Sequence, residues 1–414
     1  LGNPTGAEDV ARRSDGAVAQ FVIADPRHAN AAMPVRRVSA TASGTSACSA
    51  LECVSARWKS IGWTADGRKV WIVKQLSDQR RPDGAPGDQS GLFTWDVSTG
   101  KLKQIYLVDG ILSGCQKANV NIFCVEERST QPGEIVAINL ENGRRHTFAD
   151  ANPTFKSKIF PRIGRLILHD DAGAPYFARI VYPARYDPSK KYPLVITQYS
   201  DRGFLRGQIG NEYPIFPMAE AGYFVMSLNW VRPPNDLTTS TIDELNEKYS
   251  NNGREIVWKL IQSGMDHLIS EGKVDGNRVA LTGLSAGAEI VNYVLQRTNR
   301  FRAAIASSAM QDLTFFPIVP EGPLRTRLMA EFKAQDAVET NNAPLNEIAW
   351  SNKPDKLRTP FLINVGEYEA LLGFEGTQAI AHAGGPLEMR IFPDEEHIKY
   401  HPWTYIGIYQ NNMR

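Results

Sequence analysis

Two periodicities divide the chain. Between residues 50 and 150, apolar and polar positions alternate in short runs, the pattern of half-buried strands, and Gly or Asp-Gly turns separate the runs. GLFTWDVSTGKLKQI (residues 91–105) aligns with EIVAINLENGRRHTF (residues 134–148), which sets Asn139 on Asp96 at an offset of 43 residues. Each copy holds an alternating strand, a Gly turn (Gly100, Gly143) and a basic strand. Upstream, WTADGRKVWIV (residues 63–73) adds an Asp-Gly turn and another alternating strand. Short strands repeating one turn chemistry at one spacing predict blades of a β-propeller. An antiparallel meander in a sandwich is the alternative, and it has no reason to keep such a spacing. The stretch holds three blades at most, and a propeller must close to remove its edges. The expectation is therefore that residues are missing from this chain or that this half is a remnant. The first 50 residues show no clear repeat.

From about residue 155, short apolar runs alternate with helical patterns. RLILHDD (165–171) and YFARIVYP (176–183) read as antiparallel strands. PLVITQY (193–199) and YFVMSLN (223–229) flank a helix-like IFPMAEAG, and a long amphipathic helix over about residues 252–270 precedes RVALTGLS (278–285). RAAIASSA, PFLINVG and PLEMRIF follow, with helical segments between them. This alternation predicts a mostly parallel sheet covered on both faces, with ligands held by loops at the strand ends.

Composition narrows the classes. At 414 residues the chain suggests two or three domains, and 42% hydrophobic residues supply enough core to exclude disorder as the main state. Lys and Arg number 46 against 45 Asp and Glu, so no nucleic-acid or anionic-membrane binding is expected, since both need a basic face. No run of 18 apolar residues occurs, and no membrane span is expected. The opening LGNPTGAEDV has no basic-then-apolar leader, so any signal peptide is expected to be already gone or never to have existed. Cysteines fall as two close pairs, Cys48/Cys53 and Cys115/Cys124, the second bracketing CQKANVNIFC, whose ends a hairpin brings within bonding distance. Two disulfides imply an oxidising, exported setting such as a periplasm, whereas four buried thiols fit a cytoplasmic enzyme. The close pairing favours the first. Neither pair has the spacing of a structural zinc site.

The chemistry concentrates after the long helix. Gly283-Leu284-Ser285-Ala286-Gly287 is a G-x-S-x-G sequence directly between a predicted strand and the helical AEIVNYVLQR. Such an elbow needs Gly on both sides, because a sharp turn brings strand and helix together, and it aims the serine oxygen into the cleft. A tight turn with an idle serine is the alternative, and the strand–motif–helix order makes a stray match rare. Serine needs a base, and the base needs a carboxylate to fix its tautomer. In α/β-hydrolase order the acid follows a later strand and the histidine follows the next. After PFLINVG come Glu367, Tyr368 and Glu369, with Glu375 close behind; Glu369 is the candidate acid, against the ordinary fate of a solvated loop carboxylate. After PLEMRIF, PDEEH ends in His397, the candidate base. His28 and His146 lie in the propeller-like half, His169 and His267 precede the elbow, and His382 sits on a helix. His401 is the rival, and HIKYH also sets two imidazoles on one helical face as metal ligands would, although no third ligand pattern accompanies it. No Walker or dinucleotide fingerprint follows a strand, so neither cofactor nor metal is expected. The predicted class is α/β: an α/β-hydrolase domain at residues 155–414, preceded at 1–154 by part of an all-β propeller.

A propeller followed by such a domain resembles the prolyl oligopeptidase family of serine peptidases. That family's acid loop reads like H-G-x-x-D-D-x-V, and setting Gly366 on its Gly puts Glu369 on the catalytic Asp and Ala370 beside it. The family elbow is usually G-x-S-x-G-G with an aromatic before the second Gly, whereas this chain has GLSAGA, with Ala286 and Ala288. The family tyrosine that donates to the oxyanion follows an early strand, where Tyr199 stands in ITQYSDRG. Glu for Asp, GLSAGA and the lack of a visible Glu-Glu anchor disfavour a dipeptidyl peptidase. The combination is similar to the lasso peptide isopeptidases, a bacterial branch of the family that opens a macrolactam ring. The resemblance implies Ser285 as nucleophile, His397 as base, Glu369 as its partner, and Tyr199 with the Ala286 N–H as oxyanion donors. It also implies a peptide partner, a threaded lasso peptide. Pocket walls are expected from the propeller-facing rim and from residues 320–343. Linear-peptide oligopeptidase or aminopeptidase activity is the nearest alternative, and a non-enzymatic peptide-binding module is the more distant one. Oligomeric state stays open, although an unclosed propeller edge offers a surface to another chain.

Overall fold

The computed structural model describes residues 10–23, 36–41, 44–50, 53–55, 58–76, 89–173, 175–230, 251–308, 325, 329 and 343–414. They group into two compact units. The first runs to Ile159 and includes Arg202–Leu205, and the second begins at Phe160.

Three antiparallel sheets, within residues 10–55, 58–109 and 111–150, build the first unit as propeller blades. The repeated turn has one physical design. Asp96 Oδ1 accepts the backbone N–H groups of Ser98 and Thr99, and Asn139 Oδ1 accepts those of Glu141 and Asn142, all at 2.9–3.1 Å. Gly100 and Gly143 then close the two turns at φ 71° and 74°, where a Cβ is strained. A side-chain cap followed by a left-handed glycine is thus built twice, 43 residues apart. The first blade occupies the stretch with no readable repeat. Its strands are two to six residues long, and its third strand, Arg36–Thr41, pairs with two short ones, Thr45–Ala47 and Val54–Ser55. The Cys48–Cys53 disulfide lies between those two short strands in sequence. The Cys115–Cys124 bond crosses the hairpin at the start of the third blade, with Cα atoms 4.2 Å apart. Both disulfides are buried in apolar clusters.

The second unit is an eight-stranded mixed sheet. Its strands are β1 (Ile163–His169), β2 (Pro175–Val181), β3 (Tyr192–Tyr199), β4 (Phe224–Asn229), β5 (Val274–Leu284), β6 (Ala303–Ser307), β7 (Phe361–Gly366) and β8 (Leu387–Phe392). They lie in the order β1-β2-β4-β3-β5-β6-β7-β8. Only β1/β2 and β2/β4 pair antiparallel. Helices α1 (Ile215–Glu220), α2 (Asn251–Ser270), α3 (Ala286–Leu295), α4 (Phe374–His382) and α5 (Pro402–Asn412) accompany the sheet. Central strands read as continuous apolar runs because both faces are covered. Ile196, Met226, Leu281 and Ala304 pack with Leu260 and Ile261 of α2 and with Val291 and Val294 of α3 in one core. This is the α/β-hydrolase arrangement. Since β3 and β5 through β8 run parallel, their C-terminal loops gather along one edge of the sheet. Among the described residues no helix is long and apolar enough to cross a membrane.

Candidate active site

The elbow is built by close approach. Ser285 sits between β5 and α3 at φ 57° and ψ −124°, a left-handed conformation that costs a non-glycine residue and recurs at functional sites. A Cβ on Gly283 would stand 2.2 Å from the Gly287 carbonyl oxygen and 2.4 Å from Gln198 Nε2, so only glycine fits. Gln198, buried at the end of β3, clamps the turn: its Nε2 donates to the carbonyls of Thr282 and Gly287 at 3.1 and 2.6 Å. Its Oε1 accepts Trp230 Nε1 at 2.6 Å. Trp230 in turn stacks on Tyr199, with centroids 5.0 Å apart and planes at 23°. The tyrosine ring is therefore oriented through the same glutamine that holds the serine turn. Tyr199 itself has φ 145°.

The Ser285 carbonyl accepts the N–H groups of Ala288 and Glu289 at 2.8 and 3.1 Å, which starts α3. Ala286 is the first residue of that helix, and a first-turn N–H has no acceptor within its own helix. It carries the positive end of the helix dipole beside the serine.

The candidate acid and the candidate base come from neighbouring loops. Glu369 lies in the 3-10 turn Glu367–Gly373 after β7, and His397 in the loop after β8. Glu369 Oε1 is 2.7 Å from His397 Nδ1, and the two side chains are 13% and 25% exposed. With Nδ1–H given to the carboxylate, Nε2 is the basic nitrogen. Glu367 serves the loops instead. Its Oε2 accepts the N–H of Asp394 at 3.0 Å and latches the acid loop to the histidine loop. The rival His401 places Nδ1 3.1 Å from Glu395, so each imidazole of HIKYH engages its own carboxylate. Ser285, Tyr199 and Ala286 stand at the ends of β3 and β5, on the strand edge that also carries the Glu369–His397 pair. The segment 320–343 lies outside the described residues except for Arg325, Met329 and Ala343.

Several residues around the site carry little or no signature in the sequence. Gln198 and Trp230 act through each other across distant segments. Glu212 and Lys399 form a fully buried ion pair at 3.0 Å. Lys399 had one visible clue, a lysine two residues past His397, and Glu212 had none.

Residues 246–412 match the profile of the prolyl oligopeptidase family. The lasso peptide isopeptidase AtxE2 of Asticcacaulis excentricus is 33% identical over 341 residues, which cover 80% of this chain and 48% of that protein. The chain belongs to the prolyl oligopeptidase family. Dipeptidyl-peptidase 5 of Porphyromonas gingivalis is 22% identical over 351 residues, 81% of this chain and 48% of that one. A solved structure of the AtxE2 isopeptidase with Astexin3-dC4 bound matches with a TM-score of 0.82 at 26% identity, covering 100% of this chain and 61% of that chain. This chain thus spans about half the length of the curated relatives it matches.

Proposed function

We propose that this chain is a serine isopeptidase that hydrolyses the macrolactam amide of a threaded lasso peptide, the bond between the peptide's N-terminal amine and an Asp or Glu side chain. The observation that carries the reading is the Glu369–His397 contact of 2.7 Å, made by a glutamate in the loop where the family ordinarily has aspartate. The 33% identity to AtxE2 supports the substrate class.

Ser285 Oγ attacks the side-chain carbonyl while His397 Nε2 takes its proton. Collapse of the tetrahedral adduct breaks the C–N bond, and His397 returns the proton to the departing amine. Water, deprotonated by the same nitrogen, then cleaves the acyl-serine ester and frees the Asp or Glu carboxylate. Tyr199 and the Ala286 N–H donate to the oxyanion. Two disulfides support export to an oxidising compartment such as a periplasm.

Mass spectrometry after incubation with a lasso peptide tests this directly. One water is gained by the peptide with the unsubstituted protein and none with Ser285→Ala. The similarity to Dipeptidyl-peptidase 5 favours a second reading, cleavage of linear peptides. Threaded and linear forms offered side by side separate the two: preference for the threaded form supports the isopeptidase, and faster cleavage of the linear form overturns it.

A further inference from the structure

Two adjacent serines at the end of β6 join the three reactive loops. The Ser307 carbonyl accepts the Ser285 N–H at 3.0 Å. The Ser308 N–H donates to the Asn364 carbonyl on β7 at 2.9 Å, and the Ser308 hydroxyl donates to the His397 carbonyl at 3.0 Å. Ser308 holds a left-handed φ of 51°, so its hydroxyl is aimed by a backbone turn that a non-glycine residue rarely adopts. Nucleophile, acid strand and base are thereby tied to one dipeptide.

Beneath that dipeptide lies the buried pair Glu212–Lys399. An ammonium has three protons to give, and Lys399 Nζ has three near acceptors: Glu212 Oε1 at 3.0 Å, Ser308 Oγ at 2.7 Å and Ser307 Oγ at 3.1 Å. The His397 carbonyl is a fourth, at 3.5 Å. Ser307 Oγ, whose one proton goes to Glu212 Oε2, also lies within reach of the Asn364 carbonyl. Glu212 is anchored from the other side, where Asn412 Nδ2 of α5 donates to its backbone carbonyl at 2.8 Å and Asn364 Nδ2 donates to Asn412 Oδ1 at 3.0 Å. Tyr405 of α5 donates its hydroxyl to the Lys399 carbonyl. Lys399 and Glu212 are both fully buried. A core of this kind gains little net stability from an ion pair that apolar side chains of the same volume would not supply. What a charged pair adds is direction, because every proton and lone pair must be matched.

We propose that Lys399, held by Glu212, is a positioning residue: through Ser307 and Ser308 it fixes the backbone of His397 against the backbone of Ser285. It is a hydrogen-bond donor there and not a second base, since its three donors are already engaged. The inference rests on the assignment of Ser285 and His397 as nucleophile and base, and it adds a residue set to that assignment. A displacement of about 1 Å in a catalytic group costs roughly 10²-fold in rate, so small losses of registry are measurable.

The test uses three variants of the full chain and four readouts: the rate of Ser285 labelling by a fluorophosphonate, the low-field proton resonance of His397 Nδ1–H, the melting temperature and KM for the lasso peptide. Lys399→Met alone leaves a buried carboxylate uncompensated and reports mainly on folding. Ser308→Ala removes one oxygen and keeps the ion pair; it is expected to fold, to label roughly tenfold more slowly and to broaden or lose the low-field signal. Glu212→Gln/Lys399→Met removes both charges; it is expected to regain the melting temperature lost in Lys399→Met while still labelling about 10²-fold more slowly, with KM for the lasso peptide unchanged. Labelling and low-field signal in Ser308→Ala indistinguishable from the unsubstituted chain would overturn the proposal. So would a double variant whose labelling recovers together with its melting temperature. An unsubstituted chain that fails to label but whose low-field signal disappears in Ser308→Ala supports the tether and removes the nucleophile assignment instead.

Discussion

His397 and His401 leave the same loop after β8, and each turns Nδ1 toward a glutamate, at 2.7 and 3.1 Å. The two glutamates differ in what else they hold. Glu395 is fully buried and accepts the backbone N–H groups of Tyr400 and His401 at 2.8 and 3.2 Å, where α5 begins. Its imidazole partner is fixed between rings, 4.2 Å from Tyr400 and 4.5 Å from Trp403, centroid to centroid. Glu369 caps nothing: Oε1 meets the imidazole, and Oε2 is buried with no hydrogen-bond partner among the described residues. A carboxylate already shared among backbone donors has little capacity left for an imidazolium that forms and disappears, whereas Glu369 keeps that capacity for His397. Contact distance is therefore a poor guide to role. What separates the two pairs is the remaining hydrogen bonds of the acid.

The sharpest way to break this contrast is to delete each ring. His397→Ala is expected to lower turnover of the lasso peptide by about 10⁴-fold or more, and His401→Ala by less than about tenfold. Comparable losses in two folded variants, measured by mass spectrometry of the opened ring, would make His401 as much a member of the site as His397. Next in size is Tyr199→Phe, which keeps the stack on Trp230 and removes only the hydroxyl; the expected loss is about 10²–10³-fold in kcat with KM little changed. An unaltered kcat would leave the oxyanion to backbone donors alone. Smaller again is Glu369→Asp. Removing one methylene draws the carboxylate back from an imidazole now 2.7 Å away, and turnover is expected to fall about 10²-fold. Turnover like that of the unsubstituted chain would mean that the loop adjusts and that glutamate here is no geometric requirement.

What could be read from the sequence was what local geometry encodes. The elbow was legible because Gly283 and Gly287 answer a contact within one turn, and the strand–serine–helix order surrounds it. Two blades were legible because Asp96-to-Gly100 and Asn139-to-Gly143 repeat a turn whose chemistry is self-contained. The first blade was not, since strands of two to six residues leave no alternating run long enough to align. Glu369 could be chosen from its loop, but the division of labour with Glu367 could not, because the Asp394 N–H that Glu367 binds comes from another strand connection. Glu212, Gln198 and Ser308 lay beyond reach for the same reason. Their partners are far away in sequence, and a buried polar residue looks like an exposed one until its neighbours are known.

The smallest expected effect concerns Glu395 and acid. Burial by itself would raise its carboxyl, but hydrogen bonds from Thr404 and from the N–H groups of Tyr400 and His401 outweigh burial and hold it below the ordinary value of 4.5. A carboxyl that binds its proton less tightly in the folded chain than in the unfolded one adds stability that is complete above the ordinary value and is lost as pH falls through the folded one. Glu395→Gln is neutral throughout and loses the charge-assisted part of the cap, about 1 kcal/mol at neutral pH. The stability gap between the two proteins, read from urea midpoints, is therefore expected to be widest at neutral pH and to narrow once the pH drops below 4.5. Turnover at neutral pH should stay within about twofold, since the pair serves α5 and not the bond being broken. A gap that holds constant down to about pH 3 would mean that the charge of Glu395 contributes nothing to its cap. The distinction between the two glutamates would then rest on position alone.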